Sequence, residues 1–503
     1  MRSLLLLPAL LLFLAQTARA TWSIVVCDVA TGEVIIASAT CLPNLDLKAA
    51  LPVVRVGVGG AAAQSALDSG AANRQKIWNQ LGQGTPPAEI LQVLAAGDFF
   101  HSTRQYGIVD FDNPPVKFTG GGAFPAKKAV TGTLGTLRYA IQGNVLTSQT
   151  VITEAEKALR FSSGDLGQRV LAAMEAARAL GGDGRCSCSQ AAPTSCGAPP
   201  AGGFNKSAHI AFFVIARHGD VDGVCNGQVG CANGSYYLDL NVIGGVNDPD
   251  PVLTLTAQYA AWRASLAGKP DHILSSIVAD AERLPADGQT ATTVTVALAD
   301  VDGIPLGTGG AGFGFVSSGL VTIGVITDNG DGTYSFPVIA GQSTGTEELA
   351  VTVDDGSGPV ELYPPLTLEL DPPAALHASQ LAFDANAPVD VDFTLDLGPA
   401  AAGQPYVLLA SFSGTAPGTL LGDPLATVVP LNQDALTNYM LANPGPPLFP
   451  GSLGFLDPAG RASASLTAPA ASFVPFIGQS SDWAALTLFQ PYVTSNPVRV
   501  DVK

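Results

Sequence analysis

The chain has 503 residues, enough for about three domains of ordinary size, and 24 Lys and Arg against 42 Asp and Glu give a net charge of −18. That balance argues against nucleic acid or an anionic membrane as a partner, since both repel an acidic surface. With 56 Gly, 37 Pro and 13% charged residues the composition suits a turn-rich, β-dominated extracellular protein; seven cysteines then favour disulfides, and the odd count leaves at least one unpaired or paired between chains.

Residues 1–20 read as an export signal. Arg2 supplies the positive start, Leu4 to Leu14 a short apolar run, and Ala18-Arg19-Ala20 the small residues that a signal peptidase reads. The run is too short to span a membrane, and no later stretch reaches about 18 apolar residues. The product is expected to be secreted, periplasmic or held at the cell surface. Cleavage after Ala20 makes Thr21 the mature N-terminus. A terminal threonine carries a hydroxyl that can attack a carbonyl and an α-amine, of ordinary pKa about 7.7–8.0, that can take its proton. Threonine is also a common strand opener, and position alone does not decide between the two roles.

After Thr21 the alternation of residues 22–29 and the run Val34–Ala39, separated by Ala30-Thr31-Gly32-Glu33, predict a β-hairpin. A third strand is expected over Val53–Val58, ending in Gly59-Gly60. Helices are expected over Ala61–Leu81 and from Pro86 to Ala96. Strands are expected at Gln105–Asp110 and Arg138–Val145, then helices at about Val151–Phe161 and Leu166–Leu180. Strands at His209–Ala216 and Tyr236–Val242 and a helix from Pro251 to Leu266 complete the region. Strands grouped at both ends with helix pairs between them predict α+β layering.

Several blocks in this order carry a resemblance: Thr21-Trp22-Ser23-Ile24-Val25-Val26-Cys27-Asp28, Arg55 to Gln64 with its glycines and alanines, Ile141-Gln142-Gly143-Asn144, Gly181-Gly182-Asp183, Tyr237-Leu238-Asp239-Leu240, and Asn247-Asp248-Pro249-Asp250-Pro251. Over Thr21 to about Ser265 the chain resembles the bacterial domain-of-unknown-function family 1028, assigned to the Ntn-hydrolase superfamily. The resemblance implies a four-layer αββα fold with a catalytic N-terminal threonine, here Thr21.

The other roles follow from the chemistry of acyl transfer. Charge developing on the substrate oxygen needs donors. Asn144, in a Gln-Gly-Asn turn at a strand end, is the candidate, with Gly143 letting backbone approach the substrate; a plain Asn-containing turn fits as well. Arg55 is the candidate cation beside the α-amine, with an edge-strand surface arginine as the other reading and Lys48 as a competitor. Asp183 could accept from the amine or be a loop aspartate. Gln64, read as opening a helix, is the candidate to line a substrate pocket. No cofactor and no metal is expected.

Between Arg185 and Cys231 the chain departs from the family pattern, with Cys186, Cys188, Cys196, Cys225 and Cys231 among Gly, Pro, Ser and Asn. The spacings lack paired Cys-x2-Cys knuckles, so disulfides outrank zinc here. Cys225–Cys231 is the expected pair. His218-Gly219-Asp220-Val221-Asp222-Gly223 starts like a calcium loop but lacks the closing glutamate, and a turn suffices. No Gly-x-Ser-x-Gly elbow, His-Glu-x-x-His helix or phosphate-binding glycine loop occurs, and five histidines support no His-based triad.

From about Leu274 short alternating runs take over: Ser275–Asp280, Thr293–Leu298, Val321–Val325, Tyr334–Val338 and Leu349–Val353. The turns Asp300-Val301-Asp302-Gly303 and Asp328-Asn329-Gly330-Asp331-Gly332 punctuate them, while Gly307 to Gly314 reads as a loop or bulged strand. An all-β sandwich is expected over 274–371. With Leu284-Pro285-Ala286-Asp287-Gly288 it resembles bacterial immunoglobulin-like domains of the invasin type. A second sandwich is expected over 374–503, with strands at Val389–Leu397, Tyr406–Ser413, Ala462–Leu466 and Pro497–Val502.

The organisation expected is therefore a signal (1–20), an Ntn-hydrolase-like domain (21–270) and two β-sandwiches. The function expected is an exported hydrolase that cleaves an amide or ester in a small molecule or peptide through Thr21, with cell-surface or polysaccharide contact through the C-terminal domains. The alternative is a catalytically silent αββα scaffold in a secreted adhesion protein. Convergence of the apolar run, the Ala-x-Ala box and the strand start predicts a mature chain beginning at Thr21. N-terminal sequencing or intact mass checks it, and a start several residues to either side removes the nucleophile.

Overall fold

The computed structural model describes residues 21–68, 70–371 and 375–503, so the expected signal segment lies outside the described residues. The chain divides into two compact units at Ser265 and Leu266.

The first unit carries two sheets. In the six-stranded sheet β1 (Thr21–Asp28) lies between β2 (Glu33–Thr40) and β8 (Leu137–Asn144). Outward from β2 come β9 (Ile210–Ala216) and β10 (Leu238–Val242), and β7 (Lys128–Leu134) flanks β8. The four-stranded sheet runs β3 (Pro52–Arg55), β4 (Gly59–Ser65), β5 (Arg104–Asp110) and β6 (Val116–Thr119).

Because side chains alternate across a strand, β1 buries two different faces. Trp22, Ile24 and Val26 pack with Val151, Leu159, Val170 and Val252 of α4 (Thr150–Phe161), α5 (Leu166–Ala179) and α7 (Pro251–Ala264). Val25 and Cys27 pack instead with Val54, Ala62 and Val109 of the other sheet. The far face of that sheet, with Val53, Ala61 and Ile108, is covered by Ile77 and Leu81 of α2 (Ala72–Gly82) and by Ile90 and Leu94 of α3 (Pro87–Gly97). Each fully buried aliphatic side chain in these layers contributes roughly 1.5–3 kcal/mol.

Local chemistry fixes the helix starts, down to the single-turn helices α1 (Leu47–Ala50), capped by Asp46, and α6 (Gly184–Ser187), capped by Asp183. Asp165 and Gln168 form a reciprocal capping box on α5, with Gln168 N donating to Asp165 Oδ1 (2.8 Å) and Asp165 N to Gln168 Oε1 (3.0 Å). Pro251 occupies the first turn of α7 behind the Asp250 cap.

The expected helix over Ala61–Leu81 is instead strand β4 followed by α2. The alanine-rich run has helical propensity, but β4 is paired on both sides and buried along its length, and tertiary pairing overrides propensity. Small residues are needed for another reason: a Cβ on Gly60 would lie 3.0 Å from Ile36 Cδ1 and from Val34 Cγ1 of the facing sheet. Strands β6 and β7 were not expected; both are short of the buried, alternating pattern that marks the others.

In the second unit, the first sandwich stacks a sheet built on Ala291–Ala297 and Thr333–Ala340 against one built on Gly345–Asp354 and Leu366–Asp371. Val294, Val296, Phe336, Val351 and Leu368 fill the space between them. The Asp328 turn joins the register pair Thr327 and Ser335, as a hairpin should. The glycine-rich stretch expected as a loop or bulged strand ends in strand Gly312–Ser317. The second sandwich pairs Val389–Asp396 with Arg461–Ala468 in one sheet and Pro405–Ser411 with Ser480–Thr487 in the other, around Phe393, Leu409, Leu466 and Trp483.

Three disulfides join Cys41–Cys186, Cys188–Cys196 and Cys225–Cys231, leaving Cys27 buried as a free thiol. Burial pushes the Cys27 thiol up to about 12, far from reactive thiolate. Non-reducing peptide mapping should therefore return the Cys225–Cys231 pair. Under the same conditions an alkylating agent should modify one cysteine, Cys27, and only after denaturation.

Candidate functional site

The layer between the two sheets of the first unit is apolar at one end and polar at the other. Thr21 and Ser23 of β1 point into it, as do Ser38 and Thr40 of β2, Gln142 and Asn144 of β8, and Gln64 and Gln105 of the second sheet. Each of these eight is at most 1% exposed. The backbone register puts Thr21 opposite Asn144.

Side chains tie the layer together. Gln64 Nε2 donates to the Thr21 carbonyl (3.0 Å) and to Gln105 Oε1 (2.8 Å), and its Oε1 accepts from Ser23 Oγ. Ser38 Oγ donates to the Trp22 carbonyl (2.7 Å), and Gln105 Nε2 to the Gly143 carbonyl (3.1 Å). Asn144 Nδ2 lies 3.3 Å from Ser65 Oγ. A buried amide or hydroxyl left without such partners costs about 1–3 kcal/mol, so these bonds are a condition of building the layer at all.

Two non-glycine residues beside the layer hold left-handed backbone, Ser65 at φ 76° and Val145 at φ 53°. For a β-branched valine this is costly, of order 1–3 kcal/mol. Val145 is fixed there by its N–H to the Pro125 carbonyl (2.9 Å) and its carbonyl to Gly184 N (3.1 Å).

Asp183 follows Gly181-Gly182. Gly182 adopts φ +53°, and a Cβ there would lie 2.6 Å from the Trp22 ring, so this turn reaches the layer only with glycine. The wholly buried Asp183 carboxylate accepts from Cys41 N (2.7 Å) and from Arg185 Nη2 (2.8 Å), and Arg185 Nη2 also lies 3.4 Å from Thr40 Oγ1. The cation near Thr40 is thus Arg185. Arg55 is at the other end of the β3–β4 hairpin, paired with Gly59 in register, bonded to Asp222 (3.1 Å) and stacked over Trp78 (4.0 Å).

The structure therefore brings Thr21, Asn144, Gln64 and, through Arg185, Asp183 to one end of the inter-sheet layer, and does not bring Arg55 there. Gly143 backs onto α4 rather than the layer: a Cβ on it would meet Leu146 and Ile152 at 2.9 and 3.0 Å. Gln64 lies near the end of strand β4 instead of opening a helix. Lys48 pairs with Asp239. Sequence reasoning missed Ser23, Ser38, Thr40, Ser65, Gln105 and Arg185. The period-2 polar pairs Thr21/Ser23, Ser38/Thr40 and Gln142/Asn144 were the available signal, since apolar strands carry such pairs only where a buried face turns polar.

An ion-pair network buttresses this end. Arg104, opposite Ser65 in register, bonds Asp98 (2.7 Å), and Asp98 also accepts from Asn73 Nδ2 (2.7 Å). Burial alone would raise the Asp98 carboxyl, but the bonds from Arg104, Asn73 and Phe100 N hold it at about 2. On the opposite flank His209 is driven down from its ordinary value by burial first and by Lys206 second.

The first unit is an α+β domain with a buried polar end layer, and the second is a pair of β-sandwiches, not all-β as expected, since the second of them carries the helix Ala435–Ala442. Residues 21–194 match the family described as a family of unknown function (DUF1028), and residues 271–361 match invasin, domain 3. The N-terminal region is thus of the DUF1028 type, and an invasin-like immunoglobulin domain follows it. Among solved structures, the chain is similar to a DUF1028 protein from Silicibacter pomeroyi at 19% identity, covering 48% of this chain and 88% of that one with a TM-score of 0.34. It is similar to the Yersinia pseudotuberculosis adhesin InvE at 18% identity, covering 45% of this chain and 58% of that one with a TM-score of 0.18. The Escherichia coli adhesin FdeC is similar at 11% identity over 96% of each chain, with a TM-score of 0.20. No curated protein matches.

The Asp98 carboxyl, ordinarily near 3.8, is held at about 2 in the fold. A depressed folded value contributes stability above the unfolded pKa that is lost as pH falls through the folded one. The difference in unfolding free energy between wild type and Asp98→Asn should accordingly be near its maximum above pH about 4 and shrink by about 2 kcal/mol on going down to pH about 2. Urea titrations across that window measure it; a pH-independent difference refutes the assignment.

Proposed function

We propose that this chain is a secreted, surface-associated protein of the adhesion type, in which β-sandwich modules make the contact and the N-terminal α+β domain is a closed scaffold. The match of residues 271–361 to invasin domain 3 carries the reading. The burial of Thr21, Asn144 and Asp183, together with a polar layer that hydrogen-bonds to itself, supports a domain that is not turning over substrate. In the second unit a cleft of about 660 Å³, lined by Glu282, Arg283, Tyr363, Glu369 and Gln380, offers charged and aromatic groups to a polar partner such as a surface polysaccharide. Labelled full-length protein should bind bacterial or host cell surfaces saturably and be displaced by unlabelled protein. Unsaturable binding across both would sink the adhesion reading.

A second reading is favoured by the Thr21–Asn144 register and by the left-handed Ser65 and Val145 beside it. Here the N-terminal domain is of the Ntn-hydrolase αββα type, and removal of residues 1–20 frees the Thr21 amine. The hydroxyl then attacks an amide or ester carbonyl, the amine takes its proton and passes it to the leaving group, and water hydrolyses the acyl-enzyme. Asn144 donates to the oxyanion, Gln64 holds the Thr21 backbone, and Asp183 orients Arg185, which takes the role the sequence suggested for Arg55. On this reading Thr21→Ala abolishes turnover with the fold intact, Thr21→Ser retains part of the rate, and Asn144→Ala lowers it by about 10²–10³-fold. An electrophilic amide or ester probe, read by mass spectrometry at the N-terminal peptide, decides between the readings. The scaffold predicts no more labelling of wild type than of Thr21→Ala, and the hydrolase predicts labelling that the variant loses.

A further inference from the structure

Outside the polar layer, one cluster joins residues far apart in sequence. Cys41 immediately follows β2, Cys186 lies 145 residues later, and His209 immediately precedes β9, the neighbour of β2. His209 N donates to the Thr40 carbonyl (2.8 Å), which anchors the histidine beside Cys41. The two sulfurs and a ring nitrogen of His209 lie within 4.8 Å of one another.

The disulfide accounts for the two cysteines and leaves the histidine unexplained. His209 is 6% exposed, and its Nδ1 has no hydrogen-bond partner. A buried polar atom without a partner is disfavoured by about 1–3 kcal/mol, and native interiors rarely tolerate one without a use. Imidazole nitrogen beside two sulfurs is the donor set that selects zinc-like ions.

We propose that Cys41, Cys186 and His209 form a redox-gated site for a zinc-class divalent ion, closed as a disulfide and opened by reduction. Two molecules of a thiol reductant become one disulfide and deliver two electrons and two protons to the Cys41–Cys186 bond, which breaks to give two thiols. The divalent ion then displaces both thiol protons and takes two thiolates and one imidazole nitrogen, a neutral three-ligand set with one position open. Cys41 N is bonded to Asp183, so occupancy of the site is felt at the edge of the polar layer.

The test uses the full chain and Co²⁺ as a spectroscopic stand-in, since thiolate-to-cobalt charge transfer gives a near-ultraviolet band that imidazole or carboxylate ligation lacks. Reduced protein should bind one equivalent of Co²⁺ with that band and lose it when Zn²⁺ is added; oxidised protein should show none. Because Cys188, Cys196, Cys225 and Cys231 are also reduced, the measurement is repeated in a chain with all four changed to Ser, and should that chain not fold, as a difference between wild type and Cys186→Ser. His209→Ala should weaken binding by at least the roughly 10–100-fold that loss of a ligand's supporting partner causes. An identical band in Cys186→Ser, an unchanged affinity in His209→Ala, or no band in reduced wild type each overturns the site.

Discussion

The pairing of β1 between β2 and β8 is the constraint on which the first unit depends. It sets the first residue after the expected signal segment in the middle of a six-stranded sheet, with both faces buried. One face, Trp22, Ile24 and Val26, anchors the helices; the other looks into the space between sheets. A one-residue slip would exchange the two faces, sending Trp22 toward the second sheet and Thr21 toward the helices. The register is held by burial on both sides.

That inter-sheet space explains the rest of the first unit. Where β1, β2, β4 and β5 present Val, Ile, Ala and Gly the sheets close together, with Gly60 and Gly107 at places where a Cβ would crowd the facing sheet. Where the same strands present Thr, Ser, Gln and Asn, the layer is a hydrogen-bonded network. In a low-dielectric interior the paired groups of such a network are rigid and specific, and Gln142 Oε1 is the buried acceptor it leaves without a partner. The scaffold and hydrolase readings of the layer differ in what freeing the Thr21 amine would do. The disulfide of Cys41 to Cys186 fastens the Asp183 turn to the end of β2 at this same place, which is why chemistry at those sulfurs bears on the layer.

The second unit follows a different logic. Its sandwiches are built from short alternating strands whose inward residues interdigitate, Val294 and Phe336 in one and Phe393 and Trp483 in the other. Nothing in such a core demands a reactive group. Chemistry in this unit lies at its surface, in turns and clefts, as suits modules that bind or space.

Much of this was legible in the residues. The β1–β2 hairpin, the α4 and α5 helices, the alternating strands of the sandwiches and the Cys225–Cys231 pair follow from local rules: periodicity, caps, turn chemistry and short loop closure. The alanine-rich β4 was misread as helix because propensity is local while strand pairing is not. The cation at the site shows the same limit: Arg55 was the expected one, but only the crossing of distant strands and a disulfide spanning 145 residues sets Arg185 beside Thr40 and carries Arg55 to Asp222 and Trp78. By itself the sequence determined the elements with a strong period, cap or turn signal and which faces they bury, since those depend on neighbours a few residues away. Which polar groups meet across the strands was decided by tertiary structure, because hydrogen bonds act over about 3 Å and the partners of Thr21 and Gln64, and the Cys41 N–H that reaches Asp183, lie tens to more than a hundred residues away along the chain.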